Sequence, residues 1–221
     1  MISEVKTIGS DTFATAWTYN AADWVASLTY PADNLGNSGE TVTYGYYPQG
    51  SLNTLSGTDN YQSSASYDTA GRLLQRDLSN GTLQSSYTYY PWDAQITGGD
   101  TLGRLAAVQS GATQTPASLQ DLSYHYDPLG NVTDVVDQLA GPQTHAFSYD
   151  ALNRLVSAEA TGGQDGLYSE SYSYDAATGN LAGKGATSYG YQDAAHAHAV
   201  THLDGAASYT YDSNGNMLQR T

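Results

Sequence analysis

A short phrase, Tyr-x-Tyr-Asp-x-x-Gly-x-apolar, recurs along this chain and constrains its fold more than any other feature. It occurs about nine times in 221 residues, with substitutions at one or more positions in most copies. In chain order, the copies begin at Trp17, Tyr44, Ala65, Tyr87, Tyr124, Phe147, Tyr172, Tyr189 and Tyr209. A phrase repeated at this spacing predicts a repeat architecture rather than an irregular globule.

Each copy of the phrase predicts one β-hairpin. Tyr-x-Tyr sets two aromatic rings two residues apart, so both rings lie on one face of a strand. Asp-x-x-Gly is typical of a type I turn, in which the last position takes a positive φ that glycine or asparagine tolerates. The apolar residue two positions later then starts the returning strand. The predicted turn residues are Asp68 with Gly71, Asp127 with Gly130, Asp150 with Asn153, Asp175 with Gly179, and Asp212 with Gly215.

The repeated phrase resembles that of the YD-repeat (Rhs) family, which includes bacterial Rhs proteins, the C subunits of insecticidal toxin complexes, and teneurins. The copies cover nearly the whole chain, and the run from His196 to His202 also resembles a stretch common in Rhs proteins. The resemblance implies hairpins joined edge to edge into a sheet that spirals into a hollow shell, which often encloses a C-terminal toxin. We therefore expect an all-β array of antiparallel β-hairpins forming a curved, spiralling sheet, with roughly 16 to 18 strands, as a segment of such a shell.

The repeats predict a simple domain organisation. Residues 1–16 form a polar lead-in segment, and residues 17–221 form a single continuous repeat domain, which we expect to be a fragment of a longer protein. A further Asp-x-x-Gly turn is predicted at residues 31–36. Residues 91–123 are the least regular, and Ala117 to Leu122 are compatible with one helical turn.

Composition excludes several classes of function. The net charge is -15, with 22 acidic against 7 basic residues, so the chain repels nucleic acid and anionic membranes. No apolar run approaches the roughly 20 residues of a membrane-spanning helix. The absence of cysteine removes disulfides and thiol chemistry. High charge with few aliphatic residues usually indicates disorder, but the 20 tyrosines supply the missing apolar area.

Two groups of side chains resemble metal sites. His196 and His198 would share one face of a strand, with His202 nearby, and such a pair can bind zinc or copper. The alternative is a widened loop in a degenerate repeat, which the resemblance favours. The turn aspartates could be taken as calcium ligands, but no Asp-x-Asp-x-Asp-Gly loop occurs and turn capping explains them. We predict no metal and no cofactor.

The aromatic positions leave two interpretations open. Rows of exposed tyrosines on a sheet could stack on sugar rings, or the same rings could pack against neighbouring hairpins as cross-strand pairs do. Packing is the favoured interpretation. The tyrosines considered for glycan stacking are Tyr124, Tyr126, Tyr172, Tyr174, Tyr209 and Tyr211.

No catalytic motif is present in the sequence. Neither a Gly-x-Ser-x-Gly elbow, a phosphate-binding loop nor a His-Glu-x-x-His pair occurs. The string from Asp127 to Gly130 is similar to part of the self-cleaving Rhs core, but it lies in frame as a turn and the rest of that signature is missing.

These features together predict a non-catalytic module, a wall segment of an Rhs-type shell that encloses or displays a toxin or other effector domain. The alternative is a cell-surface adhesion module that binds glycans. The resemblance implies a secreted or cell-surface protein, with flanking repeats and a C-terminal effector domain as partners. No nucleic-acid partner or membrane insertion is expected. Unpaired edge strands predict edge-to-edge self-association.

Overall fold

The computed structural model describes residues 2–33, 37–92, 99–139, 141–163 and 166–221. Apart from one 3₁₀ turn at Ser79–Gly81, every regular element in these ranges is a β-strand. The described residues contain twenty strands, slightly more than the number expected. The prediction of an all-β array of antiparallel hairpins is therefore confirmed. The same ranges contain no helix with the length and apolar character of a membrane span.

The chain divides into two compact units. The first consists of Met1–Asp93 and Thr101–Ser123, and the second of Ala94–Asp100 and Tyr124–Thr221. This division into units does not test the predicted lead-in segment at residues 1–16 and repeat domain at residues 17–221. That domain organisation stays a prediction. Within the predicted lead-in, residues 2–8 and 11–16 belong to the first two strands. Residues 34–36 of the turn predicted at residues 31–36 lie outside the described ranges.

Ten strands begin in the first unit. They are β1 (Ile2–Ile8), β2 (Asp11–Tyr19), β3 (Val25–Thr29), β4 (Thr41–Tyr46), β5 (Leu52–Ser56), β6 (Asn60–Tyr67), β7 (Leu73–Leu78), β8 (Leu83–Tyr89), β9 (Leu105–Ala112) and β10 (Thr115–Tyr126), of which the last three residues belong to the second unit. From β1 to β10, each strand pairs antiparallel with the next one in sequence.

The second unit continues in the same pattern. Its further strands are β11 (Val132–Asp137), β12 (Gln143–Tyr149), β13 (Leu155–Gly162), β14 (Tyr168–Tyr174), β15 (Leu181–Lys184), β16 (Thr187–Gly190), β17 (His202–Leu203), β18 (Ala206–Ala207), β19 (Tyr209–Tyr211) and β20 (Met217–Arg220). Sequential antiparallel pairing runs from β11 to β18, and β19 and β20 form a separate two-stranded sheet.

The helical turn expected between Ala117 and Leu122 is wrong. These residues belong to β10, which pairs with β9 at Gln120 to Ser123 after an irregularity in the register. Pairing with β9 on both sides of this irregularity, at Thr115 and from Gln120 onward, holds the segment in an extended conformation. Tertiary pairing therefore overrides its weak local preference for a helical turn.

The second aromatic residue of seven motifs lies at a β-bulge. In β6, for example, Tyr67 is opposite Leu73, and the register shifts by one residue between Ser66 and Tyr67. The same shift accompanies the second tyrosine in six other motif hairpins, whereas the pairing of β16 with β17 shows none. A turn followed by a bulge is the hairpin geometry that the Asp-x-x-Gly sequence predicts.

Burial is shallow throughout the described residues. The buried apolar residues are Val42, Ala65, Ala158 and Ala160, and no large side chain is completely buried. Trp17, Leu28 and Val42 are directly opposite one another on three successive strands, so the buried side of the first unit's sheet is the side that carries the motif aromatics. Contacts between neighbouring strands, rather than a thick core, must therefore stabilise these sheets.

The last position of each motif turn has the left-handed conformation. Gly71 has φ 81°, Gly130 has φ 96° and Gly215 has φ 82°, while Asn153 takes the same role with φ 59°. A Cβ atom at Gly71 would meet no other heavy atom within 4 Å, so the cost of substitution there comes from the backbone conformation and not from crowding.

We expect Gly71→Val to destabilise the protein by about 2 kcal/mol, because a β-branched side chain resists positive φ. Gly71→Asn should cost much less, because asparagine tolerates this region. Thermal or urea unfolding of the two variants checks this expectation. Equal stabilities of the two variants would contradict the conclusion that the positive φ of Gly71 causes the destabilisation.

Candidate functional site: a tyrosine latch between hairpins

The motif aspartates accept hydrogen bonds from groups of their own turns. The Asp150 carboxylate accepts hydrogen bonds from the backbone N–H groups of Leu152 (2.8 Å) and Arg154 (3.0 Å), and its second oxygen accepts one from the Arg154 side chain (2.8 Å). Asp127 and Asp212 bind the amide side chains of Asn131 and Asn216 in the same way. Equivalent backbone bonds reach the carboxylates of Asp68, Asp127, Asp175 and Asp212.

These hydrogen bonds hold the pKa of each motif carboxyl below its ordinary value of 3.8. At Asp68 and Asp150 the main cause is the backbone N–H of the following arginine. At Asp127 and Asp212 it is the side chain of the following asparagine, with the backbone amides adding to it. A lowered pKa stabilises the fold above the ordinary value, and the contribution is lost as pH falls through the lowered value.

The second tyrosine of most motifs joins its hairpin to the preceding one. In seven repeats, the hydroxyl donates a hydrogen bond of 2.7–3.0 Å to a backbone carbonyl of the hairpin before it. We call this contact the tyrosine latch. Its donor and acceptor pairs are Tyr46 with Val25, Tyr67 with Leu52, Tyr89 with Leu73, Tyr149 with Val132, Tyr174 with Leu155, Tyr191 with Leu181, and Tyr211 with Val200.

Six of the seven acceptors are the apolar residues that start a returning strand. Five of these six, all except Val132, lie opposite the tyrosine at a bulge described above. A bulge interrupts the strand ladder locally, so a carbonyl there is available to a side chain. Burial of the ring raises the pKa of the hydroxyl at Tyr67, Tyr89, Tyr149 and Tyr191, which keeps it protonated as a donor.

The residue after the turn strengthens the latch in several repeats. The Arg154 guanidinium lies 4.4 Å from the centroid of the Tyr174 ring while it pairs with Asp150 at 2.7 Å. The Arg72 guanidinium likewise forms an ion pair with Asp68 and lies 4.3 Å from the centroid of the Tyr89 ring. These arginines therefore connect a turn carboxylate to the latch ring of the next hairpin by a cation–π contact.

Trp24 occupies the same motif position in the first repeat, and its ring centroid lies 5.3 Å from that of Tyr46. An aromatic ring and a guanidinium thus serve the same purpose, covering the face of the next latch tyrosine.

The six tyrosines considered for glycan stacking have different surroundings. Tyr174 and Tyr211 are latch donors. Tyr172 donates to Glu170 at 2.5 Å, and this hydrogen bond raises the pKa of Tyr172 to about 12. Tyr124, Tyr126 and Tyr209 are half-buried, as are the other three, so none of the six presents a freely exposed ring.

The three histidines do not converge. His196 contacts Asp193 at 2.8 Å, His198 contacts Asn180 at 2.6 Å, and His202 contacts Thr201 at 2.9 Å. His196 and His198 lie in successive turns rather than on a strand. Hydrogen bonding to the Asp193 carboxylate raises the pKa of His196. Within the described ranges, no group of three or more His, Asp or Glu side chains is placed to hold a metal ion.

The second unit contains two adjacent shallow cavities. One, of about 460 Å³, is lined by Tyr189, Tyr191 and Asn180 among others. The other, of about 480 Å³, is lined by Tyr209, Tyr211 and His202 among others. Both include Gln192 and Asp193, so aromatic rings lie beside amide and carboxylate groups in each.

Sequence reasoning identified the latch tyrosines but not what they bind. The acceptor is a backbone carbonyl, and it lies between 10 and 21 residues from the donor because the linking segments differ in length. The sequence carries one signal for the acceptor, namely the apolar residue that follows each turn. From the sequence, that residue was interpreted only as the start of a strand.

A family model for the RHS Repeat matches residues 126–165. Among curated proteins, the chain is 31% identical over 136 residues to the double-stranded DNA deaminase toxin A of Burkholderia cenocepacia (strain H111), covering 60% of this chain and 9% of that protein. It is 30% identical over 154 residues to toxin subunit YenC1 of Yersinia entomophaga, covering 64% of this chain and 15% of the subunit. The chain thus spans a small part of each relative.

Solved structures share the fold. A crystal structure of TcdB2-TccC3 without the hypervariable C-terminal region superposes with a TM-score of 0.69 at 18% sequence identity. The match covers 95% of this chain and 12% of that one. Nearly all of this chain therefore has the fold of one segment of a much longer protein.

We expect Tyr149→Phe to destabilise the protein by about 1 kcal/mol, because it removes the latch hydroxyl and leaves the Val132 carbonyl without that donor. Tyr87→Phe is the matched control, since its hydroxyl has no hydrogen-bond partner among the described residues. Chemical denaturation of both variants measures the difference. A control as unstable as Tyr149→Phe would show that the hydroxyl-to-carbonyl bond is not the source of the effect.

Proposed function

Because this chain is an Rhs-repeat (YD-repeat) protein, we propose that it is a non-catalytic wall segment of a shell that encloses or displays a toxin or other effector domain. The parent protein supplies flanking repeats on either side and a C-terminal effector domain. We place that protein outside the cell or on its surface. The mechanism is containment, in which the wall separates the effector from solvent and from its targets.

The observation that carries this proposal is the tyrosine latch. Each latch tyrosine uses its hydroxyl on the hairpin before it, and each returning strand offers a carbonyl to the hairpin after it. Such a unit is suited to lengthening a sheet by repetition, as repeat proteins do through nearest-neighbour contacts. The motif aspartates and arginines are likewise used between or within hairpins, and not at a shared catalytic centre.

The relatives support an association with toxins. Two of them are named as a toxin and a toxin subunit, and this chain corresponds to 9% and 15% of their lengths. A segment of that size, built only from strands and turns, fits the role of a wall better than that of an effector.

The proposal is tested in the parent protein, meaning this chain together with the sequence that its gene encodes around it. We expect limited proteolysis to leave the C-terminal effector intact. The triple latch variant Tyr149→Phe, Tyr174→Phe and Tyr211→Phe should increase the rate of effector cleavage about tenfold or more, because three hairpin contacts, each worth about 1 kcal/mol, are weakened.

The matched control is Tyr87→Phe, Tyr189→Phe and Tyr209→Phe, which removes three hydroxyls that have no hydrogen-bond partner in the described ranges. It should cleave at the wild-type rate. A gene that encodes no flanking repeats or no effector would contradict containment. Equal rates of effector cleavage in the wild type and the latch variant would also contradict it.

Adhesion through glycan binding is the second candidate, and the two adjacent cavities of the second unit favour it. Tyr209 and Tyr211 line one of them together with polar groups of Gln192 and Asp193, a combination that suits a sugar face and its hydroxyls. The Tyr209 hydroxyl is also outside the latch. Self-association through a sheet edge remains a separate proposal.

If glycan binding is the function, a glycan array probed with this chain should show saturable binding of one sugar class. Tyr209→Ala should abolish that binding, because it removes the stacking ring without touching a latch bond. Tyr87→Ala, in the first unit, should leave it unchanged. A blank array would remove this candidate and leave containment.

A further inference from the structure

The side chain that covers the ring of a latch tyrosine changes its chemistry along the chain. Trp24 uses an aromatic ring for this purpose, and Arg72 and Arg154 use a guanidinium. At the latch of Tyr211 the covering side chain is His196, and the two ring centroids are 6.3 Å apart. Tryptophan is never charged and arginine always is, whereas histidine changes its charge near neutral pH.

His196 repeats the arrangement of Arg154 with a different cation. The Arg154 guanidinium pairs with Asp150 of its own repeat and lies over the Tyr174 ring of the next hairpin. The His196 imidazole likewise contacts the carboxylate of Asp193 in its own repeat, with 2.8 Å between Nδ1 and Oδ2, and its ring faces the next hairpin. The side chain is 20% exposed, so solvent screens these contacts only in part.

The other edge of the His196 ring faces the turn that joins β19 to β20. A Cβ atom at Gly215 would lie 3.6 Å from Cδ2 and 3.9 Å from Nε2 of the imidazole, so the ring lies directly against this turn. The hydrogen bond to Asp193 is the main cause that raises the pKa of His196, and partial burial opposes it. The Ser213 backbone and the Asp212 carboxylate of the turn add to the increase. Acceptors at both nitrogens favour the imidazolium form, in which both nitrogens donate.

The hairpin of β19 and β20 depends on such contacts more than the hairpins before it. The two strands form a sheet of their own, so no strand ladder joins them to β18 in the described part of the chain. Individual hydrogen bonds cross this joint instead, among them the latch from Tyr211 to Val200 and the bond from the Tyr209 N–H to the Thr201 carbonyl. By contrast, a ladder joins β13 to β14 of the next hairpin. Loss of one side-chain contact therefore has a larger effect at the joint of β19 and β20.

We propose that His196 is a protonation switch for the docking of the hairpin of β19 and β20. Its imidazolium form holds the hairpin as a guanidinium does at other latches, and its neutral form weakens that hold. The titratable groups that face the imidazole are Asp193 from its own loop and Tyr211 and Asp212 from the hairpin. Hydrogen bonds lower the pKa of both aspartates, so they stay ionised while histidine titrates. The switch rests on the latch geometry and not on containment of an effector.

The raised pKa of His196 fixes the direction of the pH dependence. A group with a raised pKa in the folded protein contributes its full stabilisation below its ordinary value, here 6.5. That contribution is lost as pH rises through the raised value. Acidification should therefore tighten the joint, and mildly alkaline pH should loosen it.

Amide hydrogen exchange of this chain, corrected for the intrinsic effect of pH on exchange, measures the docking. An isolated two-stranded hairpin is marginally stable, so its amides exchange when it undocks. We expect the protection of residues 209–220 to fall about threefold or more between about pH 5.5 and about pH 8.5, as loss of one cation–π contact predicts. Residues 168–184 form the hairpin that Arg154 covers, and their protection should stay constant as an internal reference.

Substitutions at position 196 separate the charge from the other properties of the side chain. His196→Arg keeps a cation at every pH, so protection of residues 209–220 should stay high and independent of pH. His196→Gln is never charged, so protection should stay low and equally independent of pH. His198→Gln is the matched control, because this exposed histidine contacts Asn180 instead, and it should keep the wild-type pH dependence.

The imidazole NMR signal of His196 provides a second measurement. Asp193→Asn should lower the midpoint of its titration, because it removes the negative charge beside Nδ1. The proposal is wrong if the protection of residues 209–220 is independent of pH or increases with pH in the wild type. It is also wrong if His196→Gln keeps the wild-type pH dependence, since another group would then be responsible.

Discussion

The hydrogen bond from a tyrosine hydroxyl to a carbonyl of the preceding hairpin is the contact on which the rest of this structure depends. The Asp-x-x-Gly turn forces a bulge where the chain returns, and the bulge interrupts the ladder at the apolar residue that starts the next strand. A buried carbonyl without a partner is costly, and the tyrosine of the following hairpin supplies the donor. The turn, the bulge and the tyrosine therefore depend on one another, which explains why their residues recur together as one phrase.

These contacts between neighbouring hairpins take the place of a conventional hydrophobic core. With four buried apolar residues in the described ranges and no large side chain fully buried, little of the stability comes from a closed interior. Half-buried tyrosine rings, cation–π contacts from Arg72 and Arg154, and continuous ladders stabilise one hairpin against the next. Stability of this kind is a sum of neighbour contacts, so hairpins can be added without any change to those already present.

The sequence predicted the hairpins, the turns and their handedness because each depends on residues close together in the chain. The left-handed φ of Gly71 and Asn153 follows from local sterics alone. The latch acceptors were not predicted, because the carbonyl of Val132 or Leu155 reaches its tyrosine only after two hairpins have paired in a particular register. Ala117 to Leu122 were misassigned for the related reason that pairing with β9, and not local preference, sets their conformation.

The acidic residues of the motif turns have a structural role. Four of the turn aspartates, at positions 68, 127, 150 and 212, use both carboxylate oxygens on groups of their own turns. The lowered pKa values show that the ionised form is the one these turns hold. Asn20 takes the same place in the first repeat and accepts from the backbone of Ala22 and Trp24 through one oxygen. Aspartate adds a second acceptor, which binds Arg154 or Asn131 and so connects the turn to the residue that covers the next tyrosine or the next turn. Five of the 22 acidic residues are therefore explained by repetition of this turn, and their charge by itself is no sign of a site for cations.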